Sequence, residues 1–335
     1  EVSLFKKEAS AYYYFSRLLL NHEQPAGAAT AEFVASFNQK YGGASPLAVQ
    51  DGRAMSECTA AVQQIRRLVA EHVDSRASSG QEAGMSMHSL TTAELHMWLQ
   101  SSVEKSVFSR VGGTLWRLYE GRHSAEDAEY TQKAKTLTSL SDAKLLEALE
   151  VKAVFRGLVS GSAPASSSRA RPKAAASSVE SAAEGTMPTP STVADADDAV
   201  DWPPTESHLP MSSPYERASA SLSQIEASLR NHRGITPREA TEALVLSQLE
   251  MKTCALEASD GKEELRAMDD IMPLFVFVLL RSSLTQPFAC ARFMRDSLSE
   301  DERMDSEGRC VLLLESAARH IAFDWEPSEE LLSQL

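Results

Sequence analysis

Met268-Asp-Asp-Ile-Met-Pro-Leu-Phe-Val-Phe-Val-Leu-Leu280 is the stretch that decides the fold. Two adjacent carboxylates, Asp269 and Asp270, precede an apolar run at 271–280 that contains Pro273 near its start. A segment that is apolar on every side is buried, but Val and Phe also favour strands. The pattern therefore predicts a central buried element and leaves open whether it is a helix or a strand.

Other segments of the chain show the patterns of helices. Thr236, Pro237 and Glu239 have the spacing of a capping box with proline in the first helical position, which predicts a helix start. Between 95 and 118 apolar residues recur three or four apart, and we expect Gly112-Gly113 to bend or end that helix. No window shows convincing strand alternation with turn signals, so the sequence predicts an all-α fold.

The composition excludes several classes of function. The chain has 335 residues and a net charge of −14, which opposes a general attraction to nucleic acid or to anionic lipid. The apolar run at 271–280 is about half of the roughly 20 residues that a membrane helix requires. We therefore expect no nucleic-acid partner and contact with membranes only through partner proteins.

Residues 160–213 differ in composition from the rest of the chain. Ala, Ser, Pro, Asp and Glu dominate the segment, and eight of the fourteen prolines fall between 164 and 214. Such a segment cannot bury enough apolar surface to offset its ordering entropy. It is predicted to be a disordered insertion; the alternative is a short docking contact made by residues 193–202.

Motifs of covalent chemistry are missing from the sequence. It contains no GxSxG, no phosphate-binding GxxxxGK[ST], no GxGxxG after a strand and no HExxH. The four cysteines are widely spread and have no metal-ligand spacing, which is typical of a reducing, intracellular compartment. No cofactor and no metal are expected. The residues alone indicate an acidic, helical, intracellular protein.

Three motifs together resemble the vacuolar protein sorting nine domain family, whose members are exchange factors for early-endosomal Rab-type GTPases. The family's Thr-Pro-Arg-Glu-Lys-like helix start is similar to residues 236–240, with Ala240 in place of the Lys. Its Asp-Asp-x-x-Pro motif corresponds to residues 269–273, and its last helix resembles residues 314–321. A weaker similarity lies at 103–110.

The resemblance implies an all-helical fold in which the 271–280 run is a buried helix. It also implies a division of the chain. Residues 1–90 would form an N-terminal helical bundle packed on a vacuolar protein sorting nine-like domain at 91–325. The insertion at 160–213 would interrupt that domain.

The resemblance further implies guanine-nucleotide exchange on an endosomal Rab-type small GTPase, in the cytoplasm and peripheral to early endosomes. Asp269 would be the catalytic acidic finger that enters the nucleotide site. The expected GTPase-binding residues are Asp270, Pro273, Cys290, Arg309 and Leu312. The alternative for the two acids is helix capping, and Asp270, which is adjacent to the helix, is also assigned to that task.

The sequence departs from the family pattern at three of these positions. Arg309 and Leu312 stand where the family has a tyrosine and, three residues later, a threonine, and Cys290 stands where it has an asparagine. An arginine cannot reproduce the apolar ring face of a phenol. Three readings stay open: a divergent exchange factor, a non-catalytic Rab-binding or endosomal adaptor protein, and a helical scaffold without a GTPase partner.

Overall fold

The computed structural model describes residues 2–46, 52–78, 91–156, 215–230 and 236–326. Within these ranges the chain forms helices and turns and no strand, which confirms the all-α prediction. The insertion predicted at 160–213 and its possible contact at 193–202 lie outside the described residues.

Three helices in the first part of the chain pack around a long fourth helix. They are α1 (Val2–Leu20), α2 (Pro25–Tyr41) and α3 (Arg53–Ser78), and each contacts α4 (Thr92–Arg122). Thr91 begins α4 with a capping box: its hydroxyl accepts from the Glu94 amide, and the Glu94 carboxylate accepts from the Thr91 amide.

Of the predicted bend or end at Gly112-Gly113, the end is wrong. Helix α4 continues through both glycines to Arg122. Val107, Val111 and Leu115 are fully buried on either side of the pair. Packing along this face outweighs the roughly 1 kcal/mol by which each glycine disfavours a helix interior.

The remaining helices follow α4 along the chain. They are α5 (Ser124–Leu137), α6 (Asp142–Ala148), a 3₁₀ turn (Ala153–Arg156), α7 (Glu216–Arg230), α8 (Pro237–Ala258), α9 (Met268–Arg281), α10 (Pro287–Ser297), α11 (Glu300–Met304), α12 (Ser306–Arg319) and a final π turn (His320–Asp324). Helix α8 starts at the predicted capping box, in which the Glu239 amide donates to the Thr236 hydroxyl over 3.1 Å.

The apolar run of the opening motif is the buried helix α9. Every residue from Leu274 to Leu280 has at most 2% of its surface exposed. Helices α6, α7, α8 and α12 all contact α9, so its apolar surface is covered by neighbours on several sides. The helix expected from the resemblance is confirmed, although periodicity alone had left a strand open.

Helix α4 also joins the first helices to the later ones. The rings of Trp116 and Tyr119 meet the ring of Phe293 on α10 edge-on, with centroids 5.8 and 5.5 Å apart. The stretches 1–159 and 213–335 form one compact unit. The predicted division at residue 90 stays a prediction.

Among the described residues, no helix combines the length and the apolar character needed to cross a membrane.

Candidate functional site

The first turn of α9 presents two adjacent acids in different surroundings. Helix α9 begins after Ala267, whose side chain offers no capping oxygen, and Asp269 and Asp270 occupy the first turn. A carboxylate at a helix N-terminus is favoured by the unpaired backbone amides and by the helix dipole. No side-chain capping hydrogen bond forms at this end, so the capping role assigned to Asp270 is limited to the attraction between its charge and the helix dipole.

Asp270 is engaged by a basic residue of its own chain. Its Oδ2 lies 2.7 Å from Nζ of Lys152, and its side chain is only 12% exposed. The same ammonium group lies 3.1 Å from Oε1 of Glu263. Lys152 donates hydrogen bonds to both carboxylates, and these raise the pKa of its ammonium group above the ordinary value. The bond to Asp270 has the larger effect and the bond to Glu263 the smaller one. Asp270 therefore faces its own chain, which argues against the expected direct contact with a GTPase.

Asp269 is exposed and makes no hydrogen bond or ion pair with another described residue. Pro273, one turn further along α9, is partly buried. Because proline has no amide hydrogen, the carbonyl of Asp269 receives no helical hydrogen bond from residue 273. The end of α9 therefore offers a free carboxylate, that of Asp269.

Helix α12 contacts α9 and carries the next two predicted residues. Arg309 and Leu312 are exposed, and 58% of the Leu312 surface is open to solvent. The opposite face of α12 is buried through Val311 and Leu314. Arg309 and Leu312 are thus available to a partner.

Cys290 was predicted to contact the GTPase, but in the structure it is buried. It lies on α10 with none of its surface exposed. A side chain buried in this way cannot touch a GTPase, so the predicted direct contact is wrong. The expectation came from the resemblance alone, which did not show whether residue 290 lies on the buried or the exposed face of α10.

The connection between α9 and α10 is held by two buried carboxylates from other helices. Glu226 of α7 accepts from the amides of Thr285 and Gln286 and from the Thr285 hydroxyl. Asp127 of α5 accepts from the amides of Phe288 and Ala289, over 2.9 and 3.3 Å. Asp127 thereby caps α10 from outside the helix.

Burial raises the pKa of Asp127 to about 7, although the two backbone hydrogen bonds oppose this shift. The neighbouring charges of Glu226 and Glu126 also raise the pKa. Only 4% of the Asp127 surface is exposed. Its carboxyl group positions the start of α10 and does not face a partner.

Sequence reasoning missed Lys152, Asp127 and Glu226. Lys152 is 118 residues from Asp270, and Asp127 is 161 residues from Phe288. No local spacing links such positions, because their contacts depend on how whole helices pack.

Part of the chain matches the model of a known protein family. Residues 215–323, about a third of the chain, match the family model of the Vacuolar sorting protein 9 (VPS9) domain. The matched segment runs from the start of α7 into the final π turn and includes α9 and α12 with Asp269, Pro273, Arg309 and Leu312. No curated protein matches the chain. Residues 215–323 are therefore similar to a VPS9 domain.

Proposed function

We propose that this protein accelerates GDP release from an endosomal Rab-type small GTPase. A VPS9 domain in general indicates a role as a Rab exchange factor. One observation carries the proposal for this chain: Asp269 is an exposed carboxylate without a partner among the described residues, at the end of a buried helix. A rigid helix that ends in a free acid suits insertion into another protein's charged pocket.

The proposed mechanism is electrostatic. A small GTPase holds its nucleotide through Mg²⁺ and a phosphate-loop lysine. A carboxylate brought into that site pairs with the lysine and repels the phosphates, and at short range in a partly dry site this interaction amounts to several kcal/mol. The nucleotide then dissociates faster, and no covalent bond is made or broken.

The rest of the interface would come from α9 and α12. Pro273 lies one turn beyond Asp269, while Arg309 and Leu312 lie on the exposed side of α12. Arg309 adds a positive charge where the family places a phenol, so we propose that the preferred GTPase carries a carboxylate opposite this position. The net charge of −14 favours recruitment to early endosomes through the GTPase or another protein rather than through anionic lipid.

Release of fluorescent GDP from a panel of Rab GTPases tests the proposal. We expect the wild-type chain to accelerate release from at least one endosomal Rab. Asp269→Asn, which keeps the shape of the side chain, should lower that acceleration by about tenfold or more, equivalent to about 1.4 kcal/mol. Asp301→Asn on α11 is the matched control, because it removes the same charge from another exposed acid. Equal rates for wild type and Asp269→Asn would refute the acidic finger.

A second candidate function is a non-catalytic Rab-binding or endosomal adaptor protein. The observation in its favour is the pair Arg309 and Leu312, which replaces the tyrosine and threonine expected from the family. Stable binding to a Rab GTPase that leaves the GDP release rate unchanged would support the adaptor and reject the exchange factor.

A further inference from the structure

The acid beside the proposed finger is neutralised from a distant part of the chain. Lys152 lies in the connection between α6 and the 3₁₀ turn, and its ammonium group contacts Asp270 on α9 over 2.7 Å. Glu263, in the segment before α9, holds the same ammonium at 3.1 Å. Three segments of the fold therefore meet at the N-terminus of α9.

This ion pair compensates the charge of only one of the two neighbouring acids. Successive residues of an α-helix point about 100° apart, so a cation on one side of the helix end engages one of two adjacent acids. Asp270 is 12% exposed and paired, whereas Asp269 is exposed and has no partner among the described residues. Asp269 is thus the acid of this pair whose charge is left uncompensated.

We propose that Lys152 is a positioning residue of the exchange site, which neutralises Asp270 so that Asp269 alone presents a free carboxylate. This inference rests on the proposed exchange function. Without Lys152, two adjacent negative charges would share one helix end, and each would disfavour the ionised form of the other. Both would also have to lose water as the helix end entered the nucleotide site.

Lys152 also fixes where the helix end lies. Helix α9 has no side-chain cap at its N-terminus, and the ion pair ties its first turn to the segment that follows α6. Because the Lys152 side chain is 50% exposed, the pair contributes little to the stability of the whole fold. A Lys152 variant should therefore fold, and its defect should appear in exchange.

The test compares Lys152→Met, Lys152→Arg and the double variant Lys152→Met/Asp270→Asn with wild type. The measurement is release of fluorescent GDP from the Rab GTPase that responds to wild type, over a range of exchange-factor concentrations. We expect Lys152→Met to lower the maximal release rate at least about fivefold, with a smaller change in the half-saturating concentration. Lys152→Arg should stay within about twofold of wild type, because it keeps the cation.

The double variant separates charge neutralisation from a merely structural role. Removing Asp270's charge together with Lys152 again leaves Asp269 as the single acid, so the double variant should recover at least half of the lost rate. A Lys152→Met rate equal to wild type would overturn the inference, and so would a double variant as slow as the single one. Urea unfolding of each variant checks that all are folded.

Failure of this inference is distinguishable from failure of the proposed function. If Asp269→Asn slows release and Lys152→Met does not, exchange through Asp269 stands and the role of Lys152 is wrong. If Asp269→Asn releases GDP as fast as wild type, or if wild type accelerates no GTPase, the proposed function fails and the role of Lys152 fails with it.

Discussion

The hydroxyl of Tyr215 donates a hydrogen bond to the carbonyl of Phe155 over 2.8 Å, across 60 positions of the chain. Tyr215 is 1% exposed, and its ring meets Phe277 of α9 edge-on with centroids 5.8 Å apart. The two positions that flank the low-complexity segment are therefore joined inside the core.

We expect that replacing residues 160–213 with a ten-residue Gly/Ser linker leaves the fold intact. Ten residues span up to about 33 Å, far more than this junction requires. The shorter loop also lowers the closure entropy, which should raise the free energy of unfolding by about 1–2 kcal/mol. Urea unfolding followed by circular dichroism measures the effect. Loss of a cooperative transition would show that the segment is needed for folding.

Replacing either of two glycines in α4 with alanine should change the free energy of unfolding, but in opposite directions. A Cβ at Gly112 would meet no atom within 4 Å, so Gly112→Ala should raise the free energy of unfolding by about 0.5–1 kcal/mol. A Cβ at Gly121 would lie 2.5 Å from Cγ of Pro46, so Gly121→Ala should destabilise the protein. Thermal unfolding of the two variants provides the comparison, and a shift of the same sign in both would contradict the packing described for α4.

The buried carboxyl group of Asp127 should make stability depend on pH. Its pKa is about 7 in the folded protein and 3.8 ordinarily, so between these values the folded state binds more protons than the unfolded state. The free energy of unfolding contributed by this group therefore falls as pH rises from about 4 to 7, by on the order of 4 kcal/mol in total.

Asp127→Asn should remove that dependence, because the amide stays neutral and its oxygen can still accept a backbone hydrogen bond. We expect the difference in unfolding free energy, variant minus wild type, to increase between pH 5 and pH 8. Urea unfolding at several pH values measures it. Glu129→Gln, at an exposed position on the same helix, is the control. A constant difference for Asp127→Asn across this range would contradict the assignment.

Restoring the family residues on α12 should alter exchange without altering stability. Arg309 and Leu312 are both exposed, so Arg309→Tyr/Leu312→Thr should change the free energy of unfolding by no more than about 0.5 kcal/mol. The double variant should accelerate GDP release from an early-endosomal Rab more than wild type does. An unchanged rate on every GTPase of the panel would show that this face of α12 does not contact the partner.

Local signals predicted much of the fold. The capping box of Thr236 and Glu239 was readable from four residues and forms as expected. The identity of α9 as a helix was not readable from its own residues, because a run that is buried on all sides has no periodicity. Only the resemblance around Asp269 and Pro273 decided it. The end expected at Gly112 does not occur because burial along α4 outweighs local propensity.

The candidate site was predicted less completely than the fold. Asp269 and Arg309 are exposed, as the contact roles that the resemblance implies for them require. The burial of Cys290 depends on which face of α10 turns inward, and the pairing of Asp270 depends on Lys152. Contacts across more than a hundred residues are set by helix packing, which leaves no local pattern in a single sequence.

The covering of α9 by α12 has a consequence for synthesis of the protein. During translation α6, α7 and α8 leave the ribosome before α9, but α12 follows it by two further helices. At about 5–20 residues per second, one side of the most apolar helix stays uncovered in the nascent chain for a second or more. During this interval the uncovered apolar side makes the nascent chain prone to aggregation, which a chaperone can prevent.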